Sequence, residues 1–223
     1  MEPVIAAGRK VNILALNAGS SSLKFGLFRR SSQGALDTLM AGEVEDIAGS
    51  SGAVLRVKEP AARVSTIKSG RISMKEGVRS ILNDLAPGDA PGCIGCRVVH
   101  GGGYYNSAAA VSPEVIVHIR DAARYAPLHN PVDLEVIEAA RLALPDAPVA
   151  AVFDTAFHRT IPEVARAYGL PRDLSARHGL VRYGFHGIAH RAVSERLTQL
   201  LDAGQAGRLV TCHLGSGASI CAV

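Results

Sequence analysis

Apolar and polar residues alternate in short runs through the first third of the chain, which is the pattern of β-strands. The run 11–16 is apolar and stops at Asn17, and a second alternating run follows a turn of small residues at 18–22. Two such runs joined by a short turn of glycine and hydroxyl residues form a hairpin. Weaker alternation after it predicts three more antiparallel strands, at residues 37–44, 52–58 and 61–68.

The middle third alternates between helical and strand patterns. Ser73 and Glu76 have the spacing of a capping box and precede a helical stripe of apolar residues that ends before Pro87. Asn130 followed by Pro131 predicts another helix start, with Asn130 as the N-cap. The other predicted elements are a helix at 113–124 and strands at 94–99 and 149–153. The last of these is continuously apolar, which predicts a strand covered on both faces.

The last third contains a helical stripe at 189–200 and a second hairpin. Runs 209–214 and 218–223 flank a small-residue turn at 215–217. A lone hairpin at a domain edge is marginally stable, so we expect the second domain to be incomplete in this sequence. The pattern predicts an α/β fold, with a first domain at 1–150 and the start of a second at 151–223.

Composition narrows the class of protein. With 48% hydrophobic and 20% charged residues the chain is typical of a globular protein, and no apolar run approaches the roughly 20 residues of a membrane helix. We therefore expect a cytoplasmic location and no membrane partner. The net charge of +4 suits an anionic small substrate. Nucleic acid is not expected as a partner, because the basic residues are spread along the chain and only 4% of residues are aromatic.

Candidate chemistry gathers at the bend of the first hairpin. Asn17, three serines at 20–22 and Lys24 bring an amide, hydroxyls, backbone N–H groups and one cation together, which is what a phosphate ligand needs. The alternative is an ordinary solvated serine turn. A Walker loop is excluded, because the GxxxxGK[ST] pattern is absent.

Three further groups are considered for candidate chemistry. Asp154 follows a buried strand, at the end where open α/β sheets bind ligands, although it could instead cap a helix. His186 and His190 have the spacing of a zinc protease but lack its glutamate, so that function is not expected. Cys93 and Cys96 form a CxxC inside a strand pattern and are interpreted as ordinary thiols.

Six segments occur in an order that resembles a known family, and together they are far more specific than any single motif. LNAGSSSLKF, RVVHGG, APLHNP, VFDTAFHRTIP, YGFHG and HLGSGAS closely resemble the signature segments of the acetokinase family, which includes acetate, propionate and butyrate kinases. The resemblance implies an actin-like ATPase fold, in which two RNase H-like domains with mixed sheets and flanking helices enclose ATP and substrate. Family members are longer than this chain.

The resemblance also implies roles for particular residues. Arg97 would hold the substrate carboxylate, and Asp154 would be the catalytic carboxylate. His186 and His129 would stabilise the transferring phosphoryl group. Asn17 would belong to the Mg²⁺ environment. Val99, Leu128 and Phe185 would enclose a short alkyl group. Lys24, Ser20, Ser22, His213, Leu214, Gly215, Ser216 and Gly217 would contact ATP. His100, His158 and His190 are interpreted as structural.

The expected function is reversible, Mg²⁺-dependent phosphorylation of acetate by ATP. Two alternatives stay open: a kinase for a neighbouring carboxylate such as propionate, and a shortened relative without catalysis. Arg97 could also be a surface residue paired with glutamate, and His186 a core histidine. The family usually has asparagine where Ser216 stands, and a second arginine, a metal-binding carboxylate and the adenosine pocket would follow Val223. Relatives commonly form homodimers through that missing part.

Overall fold

A mixed β-sheet with helices packed on it organises the structure. The computed structural model describes residues 11–68, 70–201, 207–215 and 217–223. Within these residues the strands form one sheet of eight and one of two.

The antiparallel part of the large sheet is built by the first third of the chain. Its strands follow one another as neighbours: β1 Val11–Ala18, β2 Leu23–Arg30, β3 Leu36–Glu45, β4 Ala53–Glu59 and β5 Arg63–Lys68. The predicted hairpin and the three further strands are confirmed. Leu14, Leu16 and Ala18 of β1 are buried, whereas Ala15 and Asn17 between them are exposed, so only one face of this strand is covered.

The parallel part of the sheet extends from β1. Strand β6, Cys93–Val98, pairs with β1, and β8, Val149–Phe153, pairs with β6. The two-residue strand β7, Ala109–Ala110, closes the edge antiparallel to β8, giving the order β5-β4-β3-β2-β1-β6-β8-β7. The carboxyl ends of β1, β6 and β8 therefore lie at one edge of the sheet, where ligands bind in open α/β folds.

Three helices cover the buried face. They are α1 Met74–Asn83, α2 Pro113–Ala122 and α3 Asn130–Ala143, and α3 packs on β1, β6 and β8 with α1 and α2 beside it. The predicted capping box of α1 is confirmed: the Ser73 hydroxyl accepts from the Glu76 N–H at 3.2 Å, and the Glu76 carboxylate accepts from the Ser73 N–H at 2.8 Å.

The predicted helix cap at Asn130 is wrong. His129 occupies the N-cap of α3, and Asn130 is the first helical residue, fully buried. Oδ1 of its side-chain amide accepts from the His100 N–H at 3.1 Å. Nδ2 donates to the carbonyls of His100 and Ile119 at 2.9 and 3.0 Å. A buried amide must satisfy its hydrogen bonds, and here three backbone groups from other segments do so.

The prediction that β8 is covered on both faces is also wrong. Val149, Ala151 and Phe153 are buried under the helices, but Ala150 and Val152 on the opposite face are only half-buried. A run of apolar residues cannot report this difference, because small and branched side chains are tolerated on a partly open face.

The last third adds short helices and the second hairpin. A 3₁₀ turn, Phe157–Thr160, is followed by α4 Glu163–Arg166, α5 Arg172–His178 and α6 Gly187–Leu200, and then by β9 Val210–His213 and β10 Ser219–Ala222. The predicted hairpin is confirmed, and β9 packs on α6. None of the helices in the described ranges is both long and apolar enough to cross a bilayer.

Candidate active site

Strand register aligns three of the predicted site residues on the open face of the sheet. Lys24 of β2 is directly opposite Asn17 of β1, so their side chains share a face. Leu16 is paired with Cys96, which places Asn17 and Arg97 next along the same two strands. All three lie on the face that the helices leave uncovered, because their neighbours Leu16 and Cys96 are buried. The sheet thus carries a row of polar groups from Lys24 to Arg97.

At the β6 end of this row is an ion pair. Nε and Nη2 of Arg97 donate to Oδ2 of Asp154 at 3.0 and 2.7 Å. The Arg97 side chain is 24% exposed and that of Asp154 only 7%, so the pair is largely withdrawn from solvent. The third nitrogen, Nη1, makes only long contacts, to Oδ1 of Asn17 at 3.4 Å and the Ala18 carbonyl at 3.5 Å. The alternative of a surface arginine paired with glutamate does not hold.

A second carboxylate lies behind the pair. Asp133, in the first turn of α3, is buried, and its Oδ2 accepts from the Val99 N–H at 2.9 Å. Burial raises the pKa of Asp133 from its usual 3.8 to about 6, against the opposing effects of the Val99 hydrogen bond and of the Arg97 charge. Asp133 therefore fixes the backbone just after Arg97.

The loop after β6 is held by His100, whose side chain is buried. Its Nδ1 accepts from the N–H of Gly102 at 2.9 Å, and the ring stacks on Tyr125 with centroids 4.8 Å apart. Burial lowers the pKa of His100 to about 4, so the ring is neutral and carries its proton on Nε2. This agrees with its interpretation as a structural residue.

His186 enters the site through an unusual backbone conformation. Its φ of 56° lies in the left-handed region, which residues other than glycine rarely adopt outside functional sites. The next residue, Gly187, donates its N–H to the carbonyl of Asp154 at 3.0 Å. A Cβ on Gly187 would clash with that carbonyl, so glycine is required for α6 to begin against the end of β8.

The ring of His186 is surrounded by the second hairpin. It stacks on His213 with centroids 4.2 Å apart, and its Nδ1 lies 2.8 Å from the hydroxyl of Ser219. Gly217 lies near the free nitrogen of the ring, since a Cβ there would be 3.5 Å from Cε1 and 3.6 Å from Nε2. Burial, and then the neighbouring His213, lower the pKa of His186. Nε2 accepts or donates no hydrogen bond within the described part of the chain.

The residues expected to enclose an alkyl group are spread around the same edge. Val99 is buried after β6, Phe185 is 43% exposed with its carbonyl 2.8 Å from Nε2 of His158, and Leu128 is 78% exposed. The Leu128 side chain is therefore mostly open to solvent in this structure. The alkyl pocket therefore stays a prediction.

The other predicted ligand contacts are at the surface. Ser20 is exposed and Ser22 half-buried, and their hydroxyls have no hydrogen-bond partner among the described residues. His129 is exposed at the start of α3, with no capping bond from its side chain. Leu214 and Gly215 are exposed after β9, whereas Ser216 lies outside the described residues.

Two oxygen donors near Arg97 have the chemistry of a Mg²⁺ site. Asn17 offers an amide oxygen, and Asp154 has a second carboxylate oxygen that Arg97 does not engage. Mg²⁺ prefers such oxygens and takes its remaining ligands from phosphates and water. No group of three or more His, Cys, Asp or Glu suited to a metal ion occurs within the ranges that the structure covers. The donors fit Mg²⁺ held jointly with a phosphate ligand.

The CxxC cysteines take no part in this site. Cys93 and Cys96 are both free and buried in β6, and burial raises the pKa of Cys96 to about 12. A strand position and an unreactive thiol agree with their interpretation as ordinary thiols.

Several residues of the site were not found from the sequence. Asp133 resembles any acidic residue in a first helical turn, and Thr155, which accepts from the N–H of Gly101 at 3.0 Å, resembles any residue after a strand. Ser219, and Thr211, whose hydroxyl lies 2.7 Å from Nδ1 of His190, resemble ordinary strand residues. Their partners lie far away along the chain, so no local signal marks them.

The fold and the site together define the class. Cationic, carboxylate and imidazole groups meet where parallel strands end, as in an α/β protein with a site for anionic ligands. The chain belongs to the acetokinase family, whose sequence model matches residues 12–223.

Individual relatives agree with this assignment. The chain is 39% identical to an acetate kinase of Oceanobacillus iheyensis, over 95% of its own length and 54% of the relative's. It superimposes on the crystal structure of Porphyromonas gingivalis acetate kinase with a TM-score of 0.83 at 35% identity, covering 96% of this chain and 55% of that one. A propionate kinase from Francisella tularensis gives a TM-score of 0.83 at 32% identity, covering 96% and 54%.

These relatives confirm the predicted fold class, an α/β protein of the actin-like ATPase type with a mixed sheet and flanking helices. The chain spans about half the length of the curated relatives that it matches.

Proposed function

We propose that this chain carries the carboxylate-binding and phosphoryl-binding residues of an acetate kinase, which makes acetyl phosphate and ADP from acetate and ATP in a reversible reaction. The observation that supports this most is the Arg97–Asp154 ion pair at the ends of the parallel strands, with Asn17 beside it and the carbonyl of Asp154 bound to the N–H that follows His186.

Arg97 is the proposed carboxylate ligand. Asp154 engages Nε and Nη2, while Nη1 has only contacts of 3.4 and 3.5 Å, so this nitrogen is free to donate to a stronger acceptor. A guanidinium presents planar, charged donors that match a carboxylate. Val99, Leu128 and Phe185 would then surround the alkyl end of the substrate.

Asp154 is proposed to orient groups and not to remove a proton. A carboxylic acid with a pKa near about 4.3 is already ionised at neutral pH, so the nucleophile needs no general base. Asp154 holds the guanidinium through Oδ2, and its other oxygen is available for a metal or its water. Asp154 fixes the orientation of the Arg97 guanidinium. Since Arg97 would bind the substrate carboxylate, Asp154 would position the substrate through Arg97.

The phosphoryl group would lie between this pair and the imidazole of His186. Phosphoryl transfer has a loose, in-line transition state, so the protein mainly positions the reactants and neutralises charge. His186 and His129 would contact the transferring group, and Lys24 with Ser20 and Ser22 the ATP phosphates. The proposed nucleotide contacts of the second hairpin are His213, Leu214, Gly215, Ser216 and Gly217.

Mg²⁺ is the proposed metal. Asn17 and the free oxygen of Asp154 would hold it, and when bound it would neutralise phosphate charge. The proposal extends to a division at residues 1–150 and 151–223, a cytoplasmic location and, in longer relatives, a homodimer.

A second candidate is a kinase for propionate. The Francisella tularensis propionate kinase matches this fold as well as the Porphyromonas gingivalis acetate kinase does, each with a TM-score of 0.83. One extra methylene changes binding by only about 1–3 kcal/mol, so the family relationship does not choose between the two substrates. A third candidate is a relative without catalysis; the chain spans 54% of the length of the Oceanobacillus iheyensis acetate kinase.

A hydroxamate assay of the purified chain with ATP, Mg²⁺ and acetate, propionate or butyrate tests these candidates together. We expect acetate to give the fastest product formation. Asp154→Asn should lower the rate by about 10²-fold or more at every pH without changing the shape of the pH profile. A faster reaction with propionate would favour the propionate kinase. Absence of product with all three acids would favour the relative without catalysis. Loss of one limb of the pH profile would contradict the role given to Asp154.

A further inference from the structure

A chain of hydrogen bonds runs away from His186 into the second hairpin. Nδ1 of His186 lies 2.8 Å from the hydroxyl of Ser219, which lies 2.8 Å from Nε2 of His190. Nδ1 of His190 in turn lies 2.7 Å from the hydroxyl of Thr211. The two residues farthest from His186 are buried, with His190 only 2% and Thr211 4% exposed. We call these four side chains the Ser219 relay.

Proton counting couples the two imidazoles of the Ser219 relay. A serine hydroxyl has one proton, so Ser219 donates to one ring and must accept from the other. If Ser219 donates to Nδ1 of His186, then His190 must carry its proton on Nε2. If Ser219 donates to His190, then His186 must carry its proton on Nδ1. Two neutral rings therefore adopt the same tautomer.

The far end of the relay selects one of the two directions. Thr211 lies 2.7 Å from Nδ1 of His190 but 3.5 Å from the Cys221 carbonyl, its other acceptor. The shorter contact favours donation from Thr211 to His190. His190 then donates from Nε2 to Ser219, and Ser219 donates to Nδ1 of His186. His186 is left with its proton on Nε2, the nitrogen that has no partner among the described residues.

We propose that Ser219, supported by His190 and Thr211, is a positioning residue that holds His186 in the Nε2–H tautomer. The inference rests on the proposed function, in which His186 contacts the transferring phosphoryl group. A neutral imidazole can donate to a phosphoryl oxygen only from the nitrogen that bears the proton. In the other tautomer a lone pair would face the anionic oxygen and would repel it.

The electrostatic surroundings agree with neutral rings. Burial is the first cause that lowers the pKa of both His186 and His190, and nearby histidines add to it. A doubly protonated ring would donate from both nitrogens regardless of the relay. The tautomer matters because these rings favour the neutral form.

Nitrogen NMR of the histidine side chains tests the relay without any substrate. In the full 223-residue chain labelled with ¹⁵N-histidine, two-bond correlations distinguish the nitrogen that bears the proton from the bare one. We expect both His186 and His190 to have the proton on Nε2. A wild-type His186 with its proton on Nδ1 would overturn the inference, whatever the variants do.

Variants separate the relay from simple packing. Ser219→Ala should convert His186 from one tautomer to a mixture, and Thr211→Val should do the same although Thr211 does not bond to His186. Ser194→Ala is the matched control, because the Ser194 hydroxyl donates to the backbone carbonyl of His190 at 2.7 Å and not to its ring. It should leave both tautomers unchanged.

Unchanged His186 signals in both Ser219→Ala and Thr211→Val would overturn the relay. Backbone amide spectra recorded on the same samples check that each variant is folded. Failure of the proposed kinase function would appear in the hydroxamate assay and would not alter these spectra, so the two outcomes are read independently.

Discussion

Arg97 is held in place by the carboxylate of Asp154, and neither charge would be stable in this buried position without the other. Its guanidinium and the Asp154 carboxylate are largely buried, and the attraction between them offsets part of the cost of burying both charges. A buried pair of this kind contributes modestly to stability compared with apolar residues, but removal of one member leaves an uncompensated charge. The site is therefore sensitive to either substitution.

Removal of Arg97 should consequently destabilise the fold. We expect Arg97→Ala to lower the free energy of unfolding by about 3 kcal/mol, because Asp154 stays buried without its counter-ion. Urea unfolding followed by far-ultraviolet circular dichroism measures this, since the chain has no tryptophan. Arg191→Ala is the control: its pair with Glu195 is 64% and 60% exposed, and its loss should cost less than about 1 kcal/mol. Equal effects of the two substitutions would contradict the burial argument.

Asp133 makes stability depend on pH in the direction opposite to a salt-bridged carboxylate. Its folded-state pKa of about 6 lies above the usual 3.8, so between these values the folded state binds a proton that the unfolded state has lost. The stabilising contribution of Asp133 is fully present below pH 3.8, the pKa of the unfolded state. It is lost as the pH rises through about 6, the pKa of the folded state.

Asp133→Asn should abolish that decline. Asparagine does not titrate and can still accept from the Val99 N–H. The unfolding free energy of the variant relative to wild type should therefore rise by about 2 kcal/mol between about pH 4 and pH 7. Urea titrations at several pH values measure it. The exposed Asp146→Asn serves as the control and should show no such trend. A pH-independent difference for Asp133→Asn would mean that the pKa of Asp133 is the same in the folded and unfolded states.

At the scale of elements, the start of α6 determines where His186 lies. The helix begins in direct backbone contact with the end of β8, through the bond from Gly187 to the Asp154 carbonyl. The left-handed conformation of His186 follows from this close approach, because the chain must turn sharply before entering the helix. Because Gly187 has no Cβ, α6 can begin close to Asp154, and this places the imidazole of His186 near the Arg97–Asp154 ion pair.

Gly187→Ala should separate these two elements. The added methyl would meet the Asp154 carbonyl and the Phe157 side chain, so we expect a loss of about 2 kcal/mol in unfolding free energy and shifted His186 resonances. Gly103→Ala is the matched control, because nothing lies within 4 Å of a Cβ at that position. Chemical denaturation and histidine NMR of both variants measure the difference. If Gly187→Ala matched Gly103→Ala, the contact would not govern the position of α6.

At the scale of the whole molecule, the two sheets differ in how well they are covered. Helices bury one face of the eight-stranded sheet, and its central strands have partners on both sides. The β9–β10 hairpin has only two strands, and Val210, Leu214 and Ile220 are 67%, 76% and 72% exposed. Two-stranded sheets are marginal by themselves.

Hydrogen exchange should reveal this difference. We expect ladder amides of β9 and β10 to exchange at least about tenfold faster than those of β1 and β6, because the hairpin can open without unfolding the large sheet. Native-state exchange followed by NMR or mass spectrometry gives both rates from one sample, so β1 and β6 act as the internal control. Equal protection would indicate that the whole chain opens as one cooperative unit.

Local chemistry allowed much of the fold to be predicted from the sequence. Alternation predicted the strands of the meander, the spacing of Ser73 and Glu76 predicted the cap of α1, and the small-residue turns predicted both hairpins. These features depend on residues within a few positions of one another, so one sequence is enough to find them. The order of six motifs indicated the family for a different reason, because chance rarely produces such an order.

The site required the tertiary structure. Arg97 and Asp154 are 57 residues apart, and Asn130 contacts a backbone group 30 residues away. The period of a strand tells which residues share a face, but it does not tell which strand lies next to it or in what register. Sequence alone therefore determined the elements and the family. Only the packing of strands and helices decided which polar groups meet, because buried charges and hydroxyls take whichever distant partners the fold brings within hydrogen-bonding distance.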